Sequence, residues 1–158
     1  GRYRPLVPEL FWALADVWPR GRTTTGLAIS DLGRRELRAI ENHTEAAGWA
    51  IAGERGAVAW GAPLVLTGDY PPFLYVPDDQ AIRTALALRP ATSEPSNIPT
   101  ITLAVDPTGL IVSHRHRPRP DDIPLAHPLF CALDLTATSR DREALEQWNP
   151  PEEFTRVW

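Results

Sequence analysis

The sequence predicts a single α+β domain: a small mixed or antiparallel sheet, with hairpins, packed by short helices. Three observations lead to this expectation. Short β-rich runs at 64–67, 73–76, 100–105 and 110–113 are set off by turn residues. Between and around them lie stretches whose apolar residues recur at helical spacing, with capping residues at their ends. The 158 residues suit one domain able to bury roughly two thirds of its unfolded surface.

The first 21 residues read as an N-terminal helix. Pro8 suits a first helical turn, where its missing N–H forfeits no bond, and Pro19 with Gly21 ends the segment. Leu10, Phe11, Leu14, Val17 and Trp18 make one broad apolar face that must pack on this domain or on a preceding one. Residues 22–158 form the main unit. In it, 34–47 (RRELRAIENHTEAA) suits a short charged helix with Leu37 and Ile40 as its apolar contacts.

The segment 49–52 reads as a short buried strand. A small-residue helix follows at 54–60, with Gly61 as its C-terminal stop. Gly56, Ala57 and Ala59 would let that helix lie close to a sheet. The runs 64–67 and 73–76 are two strands separated by a Gly-Asp-Tyr-Pro-Pro turn. Asp78 is a good N-cap for a helix over 79–88, and 89–99 is a polar, proline-rich connection. Asp106-Pro107-Thr108-Gly109 fits a type I turn and predicts a hairpin between 100–105 and 110–113. The stretch 113–122 reads as a loop, and 126–135 with 139–148 as two closing helices before the tail 149–158.

Composition narrows the function classes. All 16 basic residues are arginine, which together with the abundant alanine and proline suggests a GC-rich bacterial genome. Methionine is absent, even at position 1, so the chain is expected to be processed or part of something longer. No apolar run reaches the roughly 18–20 residues of a membrane span, and no signal-peptide pattern is present, so a cytoplasmic location is expected. A formal net charge of −4 argues against a chain-wide nucleic-acid surface. Six tryptophans and seventeen prolines suggest bulky core anchors and many stiff turns.

The stretch AHPLFCALDL places His127, the sole cysteine Cys131 and Asp134 within eight residues, a spacing that could serve a nucleophile, its base and an orienting acid. The alternative is structural. Pro128 would then occupy the first helical position beside an N-cap at His127, and Leu129, Phe130 and Leu133 would face inward. Cys131, a turn inside that helix, would be a small buried hydrophobe, and Asp134 would bond a backbone group or Arg140 or Arg142. His114 and His116 alternate as on one side of a strand. Two imidazoles fall short of the three or four ligands a zinc site needs.

Arg115, Arg117 and Arg119, interleaved with histidines and prolines, are candidate nucleic-acid contacts, although Asp121 and Asp122 dilute their field. Arg34, Arg35 and Arg38 form a second such cluster. Phosphate loops and a Gly-x-Ser-x-Gly elbow are absent, and no catalytic residue, cofactor or metal is expected.

Two segments resemble a known family. AIAGERGAVAWGAPLVLTGDYPPFLYVPDD is similar to the central unit of AbiEi-type antitoxins and related bacterial regulators. In that unit a strand, a small-residue helix ending at G-x-P and a strand ending in YVPD form a recurring module. LAHPLFCALDL, followed by SRDREALEQW, resembles the family's closing helices. The likeness covers residues 48–158 and, more loosely, the first helix.

It implies a C-terminal effector domain of an antitoxin or transcriptional regulator, without catalytic residues. Trp49, Trp60, Pro63, Tyr75, Pro77, His127, Pro128, Leu133 and Asp134 would be scaffold positions. Family members carry an N-terminal winged helix-turn-helix that binds operator DNA, and they counteract a nucleotidyltransferase-like toxin without requiring a stable complex. Here no DNA-reading helix pair precedes the first helix, so operator binding would belong to an upstream part. The competing expectations are a ligand- or protein-binding module of an unrelated regulator, and a cysteine-dependent enzyme using Cys131.

Overall fold

The computed structural model describes residues 7–19, 23–25, 48–66, 73–78, 101–119 and 124–158. Helix α1, Val7–Val17, starts where Pro8 predicts it. Its apolar residues divide into two stripes. Phe11, Ala15 and Trp18 turn inward and are buried. Leu10, Leu14 and Val17 have the same spacing, one residue earlier, and stay in solvent, with Leu10 67% and Val17 74% exposed. Consecutive helix positions are about 100° apart, so both stripes cannot face one core. The stripe with the larger aromatic area goes in.

The sheet is mixed, with strand order β1-β4-β3-β2. The strands are β1 Thr23–Thr25, β2 Ala50–Ala52, β3 Phe73–Val76 and β4 Ile101–Val105. β3 runs antiparallel to β2, pairing Tyr75 with Ala50, and parallel to β4, pairing Tyr75 with Ala104. β1 closes the far side antiparallel to β4. All four residues of β3 are buried. A central strand covered on both faces accounts for its unbroken apolar run.

Two predicted strands are absent. Residues 110–113 instead form a helical turn, α3 (Leu110–Ser113). Asp106 decides this. Its Oδ1 accepts from the amides of Thr108 at 2.9 Å and Gly109 at 3.0 Å, and its Oδ2 accepts from the amide of Val112 at 2.9 Å. The bond to Val112 satisfies a first-turn amide, those to Thr108 and Gly109 fix the approach to the turn, and together they compete with a hairpin ladder. Gly109, at φ +70°, makes the left-handed step that a residue with a side chain would resist. The predicted hairpin between 64–67 and 73–76 also does not form. Residues 62–66 lie in no strand, and β3 spends both edges on β2 and β4.

The helices expected at 54–60, 126–135 and 139–148 form, whereas the strand Thr23–Thr25 falls where none was expected. Helix α2, Gly53–Ala59, ends through Trp60 and Gly61, the latter at φ +86°. It presses on helix α4, Pro128–Leu135, at Gly56, where an added Cβ would lie 2.8 Å from Cys131 Sγ and 3.0 Å from the Ile51 carbonyl oxygen. Gly56 is thus a close-approach position, to α4 as well as to the expected sheet; Ala57 is buried and Ala59 exposed. Helix α5, Ser139–Gln147, is capped by Thr138, whose side chain accepts from the Asp141 amide at 3.1 Å. The charged helix expected at 34–47, the helix expected at 79–88 and the connection at 89–99 lie outside the described residues.

After α5 the chain doubles back. Trp148 is fully buried and donates its indole N–H to the Trp60 carbonyl at 3.2 Å. Trp158 donates to the Leu145 carbonyl at 2.9 Å and packs against Trp148, with ring centroids 4.9 Å apart. It also reaches Phe11 on α1 at 5.9 Å. The C-terminal residues therefore tie the first helix to the last. Among the described residues, no helix is long and apolar enough to cross a membrane.

Candidate functional site

The stretch 126–135 folds as its structural reading predicts. Pro128 begins α4, and the His127 side chain caps it, with Nδ1 accepting the Leu129 amide at 3.1 Å. That acceptor role leaves the proton of the neutral ring on Nε2. Cys131 is fully buried, and its Sγ faces the Ala126 carbonyl at 3.7 Å. Burial pushes the thiol well above its usual range, and the Asp134 carboxylate pushes it further. His127 is displaced downward, by burial first and then by repulsion from His116 and His114. A reactive pair needs the reverse, a thiol that ionises easily beside an imidazole that holds a proton. With Nδ1 bonded to a backbone amide and the thiol turned to a carbonyl, the two side chains do not form a dyad.

Asp134 is the centre of this region. It is 5% exposed and accepts from three parts of the fold. Tyr75 on β3 donates its hydroxyl to Oδ1 at 2.8 Å, Trp18 donates its indole N–H to the same oxygen at 3.2 Å, and the Gly53 amide donates to Oδ2 at 3.2 Å. The expected backbone partner is therefore present, but the side-chain donors are aromatic. Arg142 donates instead to the Thr136 carbonyl at 2.8 Å, and Arg140 to that of Val65 at 3.3 Å.

A second cluster brings together residues that are far apart in sequence. The backbone of His116 pairs with Leu125 through two 2.8 Å bonds, and Leu125 also bridges to Ile51 beside the sheet. This pins the 113–119 segment, expected to be a plain loop, to the start of α4. The His116 ring then lies 5.5 Å from that of His127, with Phe154 5.0 Å from the first and 4.8 Å from the second. Trp60 completes the cluster at 5.1 Å from Phe154 and 5.9 Å from His116. His114 is elsewhere. It ends α3 and is exposed, so the expected alternation of His114 and His116 along one strand does not occur. Among the described residues no group of three or more potential ligands is placed to hold a metal.

The arginine candidates are not equivalent. Arg115 is half-buried and donates to the Val112 carbonyl at 2.9 Å, which makes it part of the scaffold. Arg117 and Arg119 are exposed on the same segment. Arg34, Arg35 and Arg38 lie outside the described residues. Residue types alone missed the Asp134 centre and the part played by Phe154. The density of aromatics in the proline-rich tail was the one available signal that this segment packs back on the domain. No family model, curated protein or solved structure matches the chain.

Proposed function

We propose that the chain is the effector domain of an antitoxin or transcriptional regulator of the AbiEi type, acting through a shaped surface rather than through catalysis. One observation carries the reading: the two segments that resemble the family interlock into one module. Tyr75 and Gly53 from the first segment bond Asp134 of the second, and the Trp60 indole N–H bonds the Ala126 carbonyl at 2.8 Å. Trp49, Trp60, Tyr75, Pro128, Leu133 and Asp134 are buried, as scaffold positions should be, while Pro77 is half-buried and Pro63 is an exposed turn residue. Such a module supplies rigidity and leaves recognition to its surface.

The test is functional complementation. A nucleotidyltransferase-like gene adjacent to the gene for this chain should slow growth when expressed alone, and co-expression of residues 1–158 should restore it. No such neighbour, or a neighbour whose toxicity the chain leaves unchanged, would overturn the reading. The chain is acidic overall, so by itself it should bind duplex DNA weakly. Salt-sensitive, tight retardation of a DNA fragment would redirect attention to Arg117 and Arg119.

A second reading, a protein-binding module of an unrelated regulator, is favoured by the exposed stripe Leu10, Leu14 and Val17 on α1. Exposed apolar residues aligned on one helix are a common basis for docking. Failed complementation together with loss of a binding partner on Leu10→Asp, Leu14→Asp substitution would select it.

A further inference from the structure

We propose that the C-terminal segment 149–158 is an acid-released strap, packed over Trp60 and the imidazoles of His116 and His127. The inference does not depend on the regulatory reading above.

Among the described residues, side-chain contacts hold the strap. Phe154 packs against both imidazoles and the Trp60 ring, with centroids 4.8–5.1 Å from all three. Beyond it, Trp158 contributes one indole bond and two ring contacts. Arg156 anchors the outer side, donating to the Glu146 carbonyl at 2.7 Å and to Asn149 Oδ1 at 3.0 Å. No strand pairing is involved. A segment held this way opens more readily than the core beneath it.

Protonation works against these contacts in three ways. The His127 Nδ1 is the acceptor for the Leu129 amide, and a proton there removes that bond. The new charge sits at the amino-terminal end of α4, where the helix dipole is also positive. It also faces the His116 ring at 5.5 Å, whose influence opposes charging of His127.

Among the described residues, the surrounding charges do not reverse this. The 113–119 segment brings Arg115, Arg117 and Arg119, of the same sign as the new charge, and His114, which opposes charging of His127. On the α2 side the neighbour is Trp60, with no charged residue between it and Arg55. Cys131 and Asp134, the titratable groups of α4, are buried, with the carboxylate occupied by its three donors. The strap itself brings Glu152 and Glu153, both exposed and screened by water. Burial and the neighbouring histidines hold His127 below the ordinary imidazole value of 6.5, so the strap stays closed near neutrality.

The experiment is hydrogen exchange and histidine NMR on the full chain between about pH 7.5 and about pH 5, corrected for intrinsic exchange. The expected result is reversible loss of protection of the Trp158 indole N–H and the strap amides, by about tenfold, while the Leu133 amide keeps its protection. His127→Asn retains a good N-cap acceptor without the titration and should abolish the acid-induced opening. His116→Gln, which leaves the cap in place, should raise the His127 titration midpoint and reduce the opening. Equal strap protection at both pH values in the wild-type chain overturns the proposal. So does full opening in both variants, or concerted loss of protection at Leu133, which would mark global unfolding.

Discussion

Tyr75 donates its hydroxyl to Asp134 at 2.8 Å across 59 residues of chain. With the Trp18 indole and the Gly53 amide on the same carboxylate, this single side chain joins β3, the end of α1, the start of α2 and α4. A buried carboxylate is tolerated when several donors replace its water. Here the donors come from separate elements, so satisfying one charge also sets how those elements pack.

Asp134→Ala should therefore be among the most damaging substitutions. It removes the acceptor shared by three buried donors, and a loss of about 3–5 kcal/mol is expected. Tyr75→Phe removes one bond to a charged acceptor and should cost about 1.5–3 kcal/mol. Urea denaturation measures both; an alanine variant within 1 kcal/mol of the wild type, on the order of a single ordinary bond, would contradict this role.

At the contact of α2 with α4, Gly56→Ala should destabilise by about 1–3 kcal/mol through overpacking. The added methyl meets both Cys131 Sγ and the Ile51 carbonyl, so Cys131→Ala should recover only part of the loss. A double-mutant cycle reads the coupling directly, and strict additivity would show that the thiol is not the obstacle.

The Cys131 thiol is buried and hard to ionise. Modification by a thiol reagent should therefore follow unfolding and not the thiol's own ionisation. Labelling in increasing urea should track the unfolding transition. Rapid stoichiometric labelling of the native chain at neutral pH would revive the nucleophile reading.

Asp106→Ala should dissolve the turn that begins α3, because its carboxylate accepts the amides of Thr108, Gly109 and Val112. A loss of about 2–4 kcal/mol is expected from several uncapped amides, with local exchange at Val112 rising most. An unchanged melting temperature would count against the capping account.

His127 is shifted below its ordinary value, which fixes the sign of its pH effect. The unfolded chain takes up the proton more readily than the folded one. The stabilisation associated with the neutral ring is complete above pH 6.5 and is lost as pH falls through the lower folded value. A series of melting curves should decline over that window, and His127→Asn should flatten the decline. A variant as steep as the parent would assign the dependence to other groups.

Much of the local structure was legible. Pro8 and Pro128 marked helix starts, Gly61 marked a helix end, and 126–135 could be recognised as a capped helix with a buried cysteine, because capping and periodicity act over one or two turns. The turn at 106–109 misled because both outcomes use the same residues. A type I turn and an Asp-capped helical turn share Asp, Pro, Thr and Gly, and a carboxylate that bonds Val112 selects the second. The two stripes of α1 were equally ambiguous, since their apolar spacing is identical and only the partner surface distinguishes them.

By itself, then, the sequence determined what depends on neighbours along the chain: an α+β domain, its capped helices and the small-residue approach at Gly56. The tertiary structure decided what depends on residues meeting from far apart. It selected parallel β4 as the partner of β3, Asp134 as the shared acceptor for Tyr75, Trp18 and Gly53, and Phe154 as the ring packed on both His116 and His127. The reason is physical. Local preferences are worth tenths of a kcal/mol to about one kcal/mol per residue, whereas satisfying a buried charge or burying an aromatic ring is worth several times as much, and those terms exist only once the chain has folded back on itself.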